Sequence, residues 1–168
     1  MTLSEVNALD PAGFTAALGG VFEHSPWIAQ RAYDARPFAS VDALHEAMLR
    51  VVQSASRGEQ LALIRAHPEL AGRAMVANAL TPDSTQEQSG AGLTRCSPEE
   101  YKRLVELNVR YNAKFGFPFI LAVKGYDRAG VIAEFARRAE RDVDSEFAEA
   151  LKQIARITRF RLDALLND

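Results

Sequence analysis

The sequence predicts an all-α protein, a compact single-domain bundle of about eight to nine helices with one short extended apolar segment at 119–123. Three observations carry this. Apolar residues recur at three- and four-residue spacing through most of the chain, which is the stripe of an amphipathic helix. The punctuation between the stripes consists of helix start signals, Asp10-Pro11, Ser25-Pro26 and Ser97-Pro98 among them. A single stretch, FGFPFILAVKG at 115–125, breaks the rhythm.

Length and composition set the frame. A chain of 168 residues favours one domain, here 1–168, and buries roughly 70% of its unfolded surface, enough for a core without staples. A net charge of −2 gives no reason to expect nucleic acid or an anionic membrane as partner. The one cysteine, Cys96, excludes an intramolecular disulfide and suits a reducing compartment. MTLSEVNALDPAGF lacks the basic start and apolar core of a signal peptide, and no apolar run approaches the ~20 residues of a membrane span. The terminal LLND is neither an anchor nor a peroxisomal tag, so the expected location is the cytoplasm.

The elements follow in order. Asp10-Pro11 opens a helix over 11–20, and Ser25-Pro26 one over 26–35. Ser40 caps 41–56, whose stripe is Val41, Leu44, Met48, Val52 and Ala55. Gly58 is an isolated turn signal before 58–66, and a further helix is expected at 69–79. Ser84-x-x-Glu87 fits a capping box for a short helix at 84–90, inside the polar, turn-rich stretch TPDSTQEQSGAG. Ser97-Pro98, with Glu100 completing a capping box, opens 98–115; its stripe is Tyr101, Leu104, Asn108, Tyr111 and Phe115, with Asn108 as a polar intruder. Asp127 caps 128–141. Asp144 caps 145–166, striped by Phe147, Leu151, Ile154, Thr158 and Leu165. No internal repeat, linker or low-complexity tract interrupts this order.

The 115–125 run is apolar between Gly116 and Gly125, with Pro118 inside, and reads as a buried strand, an extended crossing or a helix. A lone strand has no sheet to pair with, so its amides need other partners, and a ligand rich in donors and acceptors is one.

Several chemistries lack their signatures. There is no CxxC, HExxH, P-loop or GxGxxG. His24, His45 and His67 are too scattered to form a metal cluster by spacing, and nothing marks Cys96 as a nucleophile, so neither a metal nor an organic cofactor is expected. Three residues remain as candidates. In RAHPELAG, Pro68 pushes His67 out of the α region and ends the helix there. His67 then either caps a helix C-terminus or moves a proton, which its ordinary pKa of about 6.5 allows near neutrality. Glu87 either completes the capping box or turns toward a pocket shared with His67. Arg161 lies within the last helix's apolar stripe: at ~100° per residue from Phe147 it falls near 320°, beside Ile154 near 340°. A guanidinium there needs an anion, either a structural carboxylate such as Glu87 or a substrate group, unless it snorkels out at the helix end.

FEHSPWIAQRA (22–32), LIRAHPELAG (63–72), LTPDSTQEQSGAGL (80–93), LNVRYNAKFGFPFILAVKG (107–125) and RITRFRLDALL (156–166) together resemble the 2-oxo-4-hydroxy-4-carboxy-5-ureidoimidazoline (OHCU) decarboxylases, in order from about residue 11 to 166. The resemblance implies an all-α homodimer that decarboxylates a small-molecule ureide to (S)-allantoin without a cofactor, as the final step from urate. It places the proton donor on His67, the essential acid on Glu87 and the substrate-binding arginine on Arg161. It places further substrate contacts on Pro68, on Ser84, Thr85, Gln86, Glu87 and Gln88, and on the backbone of Phe119, Ile120, Leu121, Ala122 and Val123. The alternatives are a helical ligand-binding or scaffold module without catalysis, or a decarboxylase of a related ureide or heterocycle.

Overall fold

A computed structural model describes residues 1–71 and 80–167. Among these residues the regular structure is helical throughout: α1 (Leu3–Ala8), α2 (Pro11–Leu18), α3 (Trp27–Ala32), α4 (Val41–Ser54), α5 (Arg57–Ala66), α6 (Pro82–Gly90), α7 (Pro98–Phe115), α8 (Arg128–Ala139) and α9 (Val143–Leu165), with short 3-10 turns at Tyr33–Ala35 and Leu93–Arg95. The all-α expectation holds. The helix expected at 69–79 lies outside the described residues from 72 onward, and Leu70 and Ala71 form a turn. No described helix is long and apolar enough to cross a membrane.

Most start signals act as read. Asp10, Ser40 and Asp127 each accept from the amide three residues on, and Ser97 with Glu100 forms a complete capping box. Four starts differ. Thr2 and Glu5 form a capping box for α1, a helix missing from the expected set. Ser25 caps nothing; its hydroxyl donates to the Glu23 carbonyl, because Pro26 rather than Ser25 adjoins the first helical residue. Asp142, not Asp144, accepts the Ser145 amide at the head of α9. Thr81, not Ser84, caps α6, with Pro82 at the first helical position.

Contacts within the chain group it into two units, Met1–Ala66 with Ile154–Asp168, and His67–Gln153. In the first unit α2, α3 and α4 pack in series. Phe14, Leu18, Ile28, Leu44, Met48, Leu63 and Ile64 are fully buried there, each such side chain contributing about 1.5–3 kcal/mol of transfer free energy. Asn7 ties α1 down by bonding both the amide and the carbonyl of Phe38, at 2.8 and 2.9 Å.

The second unit is built on α7, which packs against α8. Tyr111 is the hub, with Phe115, Phe119 and Phe135 within 5.7 Å between ring centroids. Gly116 ends α7 with φ 75°, a left-handed conformation that suits a residue without a Cβ. The chain then runs without helix or strand through 118–123, as expected for the apolar segment, and all five residues Phe119–Val123 are buried. Cys96 lies half-buried before α7, its thiol donating to the Leu93 carbonyl at 3.3 Å.

Candidate active site

His67 ends α5 where Pro68 follows, and its side chain is 6% exposed. A helix-capping histidine at a surface would be solvated; this one is inside. The turn after it is held from two helices. From α6, Gln88 Oε1 accepts the Ala71 amide at 2.9 Å and Gln88 Nε2 donates to the Glu69 carbonyl at 3.2 Å. From α7, Asn108 Nδ2 donates to the Leu70 carbonyl at 3.0 Å and Asn112 Nδ2 to Glu69 Oε1 at 2.7 Å. These bonds hold Ala71 at φ 51°, a conformation costing roughly 1–2 kcal/mol for a residue with a Cβ. Strain of this kind persists only where surroundings over-determine the backbone.

Glu87 sits in the body of α6. With Thr81 as the cap, Ser84 is already helical and buried, so Glu87 is not the partner in a capping box. Ser84 and Gln88 share a buried face, Thr85 and Gln86 are exposed, and Glu87 lies half-buried between them. Within the second unit Gln88 ties the turn that follows His67 and Pro68 to α6. Phe119 joins the same scaffold through α7, whose Tyr111 touches it while Asn108 and Asn112 hold the turn.

The buried segment 119–123 has side-chain partners that no local sequence signal announces. Arg138 Nη1 donates to the Ile120 carbonyl at 2.6 Å, and Gln153 Oε1 accepts the Ala122 amide at 3.0 Å. Arg138 is fully buried and paired with an equally buried Glu146 at 3.0 Å. Glu146 also takes the Tyr111 hydroxyl at 2.5 Å; burial and that carboxylate push the phenol far above its ordinary pKa, so Tyr111 stays a donor.

Arg161 belongs to the other unit. It is 7% exposed, as its place in the stripe requires. Within that unit its structural carboxylate is Glu23: Glu23 Oε2 lies 2.8 Å from Nη1, and Val21 supplies a carbonyl at 3.3 Å.

Residues missed by the sequence reading are therefore Glu23, Asn112, Arg138 and Gln153, and Asn108 was seen only as an intruder. Arg138 was findable. From Val131, Phe135 falls at roughly 40° and Arg138 at roughly 340°, the same stripe test that marked Arg161.

The scaffold is helical, with a buried imidazole at the head of a turn tied to α6 and α7 and a buried irregular segment at 119–123 anchored by side chains. The chain belongs to the OHCU decarboxylase family, whose model matches residues 7–163. It is 43% identical to 2-oxo-4-hydroxy-4-carboxy-5-ureidoimidazoline decarboxylase of Haloferax volcanii over 96% of this chain and 94% of that relative. It is 40% identical to the uric acid degradation bifunctional protein of Bacillus subtilis, over 99% of this chain but 33% of that longer protein. Its fold matches a crystal structure of (S)-allantoin synthase with a TM-score of 0.81 at 26% identity, over 99% of this chain and 54% of that one.

Proposed function

We propose that this chain decarboxylates 2-oxo-4-hydroxy-4-carboxy-5-ureidoimidazoline to (S)-allantoin, releasing CO2 without a cofactor, as the last step of urate degradation to allantoin. The observation that carries the reading is the family match across 7–163 together with a buried His67 on a turn stitched to α6 and α7.

The chemistry suits side chains alone. The substrate carbon bears both a carboxylate and a hydroxyl, and the neighbouring C=N bond accepts the electron pair that CO2 leaves behind. What the protein must add is orientation, management of the hydroxyl proton and delivery of one proton to one face of the adjacent carbon. His67 takes the proton-transfer role near the hydroxyl and carboxylate. Glu87 accepts from ring or ureido N–H groups and tunes His67. Arg161 holds a substrate oxygen through its fork. Pro68 with Ser84, Thr85 and Gln86 lines the remaining contacts, and the 119–123 backbone forms the wall. Gln88 has spent one donor and one acceptor on the turn, which leaves its second N–H and second lone pair for substrate.

The resemblance also supports a homodimer in the cytoplasm. Tyr101, Val105 and Val109 stand 40%, 39% and 67% exposed at four-residue spacing on α7, an apolar stripe that a second subunit would cover. A second reading, a scaffold without catalysis, draws on the Glu23–Arg161 pair, which occupies part of the guanidinium.

The test is circular dichroism during urate oxidation, with urate oxidase and the following hydrolase generating the short-lived substrate. Wild type is expected to produce one allantoin enantiomer rapidly, and His67→Asn slow racemic product. A wild type that alters neither rate nor chirality would sink the assignment.

A further inference from the structure

We propose that Arg138 and Gln153 are positioning residues for the reaction: together they clamp the backbone on either side of Leu121 and so set the wall against which the substrate's ureido group packs. This rests on the reading of 119–123 as a substrate wall.

A buried segment without helix or strand has no ladder to fix its register. Here two side chains replace the ladder. Arg138 takes the carbonyl of Ile120 and Gln153 the amide of Ala122, the residues flanking Leu121. Both anchors are themselves oriented. Arg138 Nε reaches both oxygens of Glu146, at 3.0 and 3.3 Å, and its guanidinium lies 4.4 Å over the Phe119 ring. Phe119 in turn stacks on Phe135 at 4.0 Å and 8°. Gln153 Nε2 donates to Glu149 Oε1 at 2.8 Å, which turns Oε1 toward Ala122.

The choice of residues is informative. A fully buried ion pair is a poor route to stability, since apolar residues of similar size often do as well or better. What Arg138 supplies that a leucine or methionine could not is a donor at a fixed point. Val123 is held by its own turn, its carbonyl accepting the Tyr126 amide at 2.9 Å. Among the described residues the amide and carbonyl of Leu121 have no protein partner, although the residue is buried. A buried backbone donor and acceptor side by side match a group carrying both N–H and C=O, which is the chemistry of a ureido function. The clamp fixes where that pair sits, and a displacement of about 1 Å in substrate positioning costs ~10²-fold.

Gln153→Leu removes one neutral amide, its acceptor for Ala122 and its donor to Glu149, and is the gentler probe; Arg138→Lys keeps the charge but loses the fork. Steady-state kinetics, (S)-allantoin binding and hydrogen exchange of the 117–125 amides would be measured on the full chain. Gln153→Leu and Arg138→Lys are expected to raise KM and weaken allantoin binding by at least about tenfold, with the far-ultraviolet spectrum retained and kcat changed less. Exchange at 117–125 should slow with allantoin in wild type and less so in Gln153→Leu. If allantoin slows exchange in wild type, yet Gln153→Leu binds and turns over like wild type, the clamp plays no positioning part and the proposal is overturned. If allantoin leaves exchange at 117–125 unchanged in wild type, the wall itself is misassigned and the proposal falls with it. If Arg138→Lys loses its fold, Gln153→Leu decides alone.

Discussion

Glu23 Oε2 lies 2.8 Å from Arg161 Nη1, with side chains 1% and 5% exposed. This pair balances a cation buried on the inner stripe of α9's C-terminal part. Glu23→Gln should therefore be costly, because it leaves a buried charge uncompensated; the expected loss is about 3–5 kcal/mol. The double variant Glu23→Gln with Arg161→Met should recover part of that loss. Urea unfolding of the four proteins in the cycle measures the coupling, and strictly additive effects would mean that the pair contributes nothing beyond its two members.

Glu87 offers the opposite case. Since it does not complete a capping box and is half-buried, Glu87→Gln should keep the fold, with a stability change that is small beside the loss of turnover. Turnover should fall by about 10²-fold or more. A stability loss in proportion to the activity loss would point to a structural carboxylate instead.

Asn108 holds the Leu70 carbonyl inside the second unit, and Asn108→Ala leaves that acceptor without its donor. The expected cost is about 1–3 kcal/mol. Turnover should drop while Asn112→Ala, which frees the partly exposed Glu69 side chain, has the smaller effect on both. Thermal melts and initial rates on the two variants check the order.

His45 predicts a pH dependence of stability separate from catalysis. Its Nε2 is 3.0 Å from Thr158 Oγ1 in a buried setting. Burial first, and the Arg159 guanidinium second, hold its pKa below the ordinary value, against weaker opposing pulls from the Ala155 carbonyl, Asp163 and Asp42. The unfolded chain therefore binds a proton that the folded one refuses. The contribution is complete above the ordinary histidine value of about 6.5 and shrinks as pH falls from there to the folded pKa. Denaturant midpoints from pH 8 to pH 5 should fall less steeply for His45→Asn than for wild type; parallel slopes would refute the assignment.

How far the sequence carried the reading depends on the range over which each signal acts. Helix stripes and local caps are near-neighbour effects, so α4, α7 and the buried place of Arg161 were readable. Where two local signals competed, the stronger chemistry won: Thr81-Pro82 carries the same cap-then-proline pattern as Asp10-Pro11, and it displaced Ser84. Asp142 displaced Asp144 because α9 begins at Val143, two residues before the expected start at 145. Glu23 as the partner of Arg161 had no sequence signal, because the two ends of the chain meet only after folding. Arg138 carried the signal of an arginine in an apolar stripe, and applying the Arg161 test to α8 would have found it. Gln153 would not have emerged that way, since at about 240° from Phe147 it stands off the stripe and is buried by the wall it holds.

Cys96 has a consequence of its own. Burial first, and the charge of Glu100 second, raise its thiol pKa, and the S–H is committed to the Leu93 carbonyl. The thiolate is the form that oxidants and alkylating agents attack. The chain's single sulfhydryl is thus held in its inert form and lies outside the proposed chemistry, so turnover should be indifferent to mild peroxide and to thiol reagents that disable cysteine-dependent enzymes.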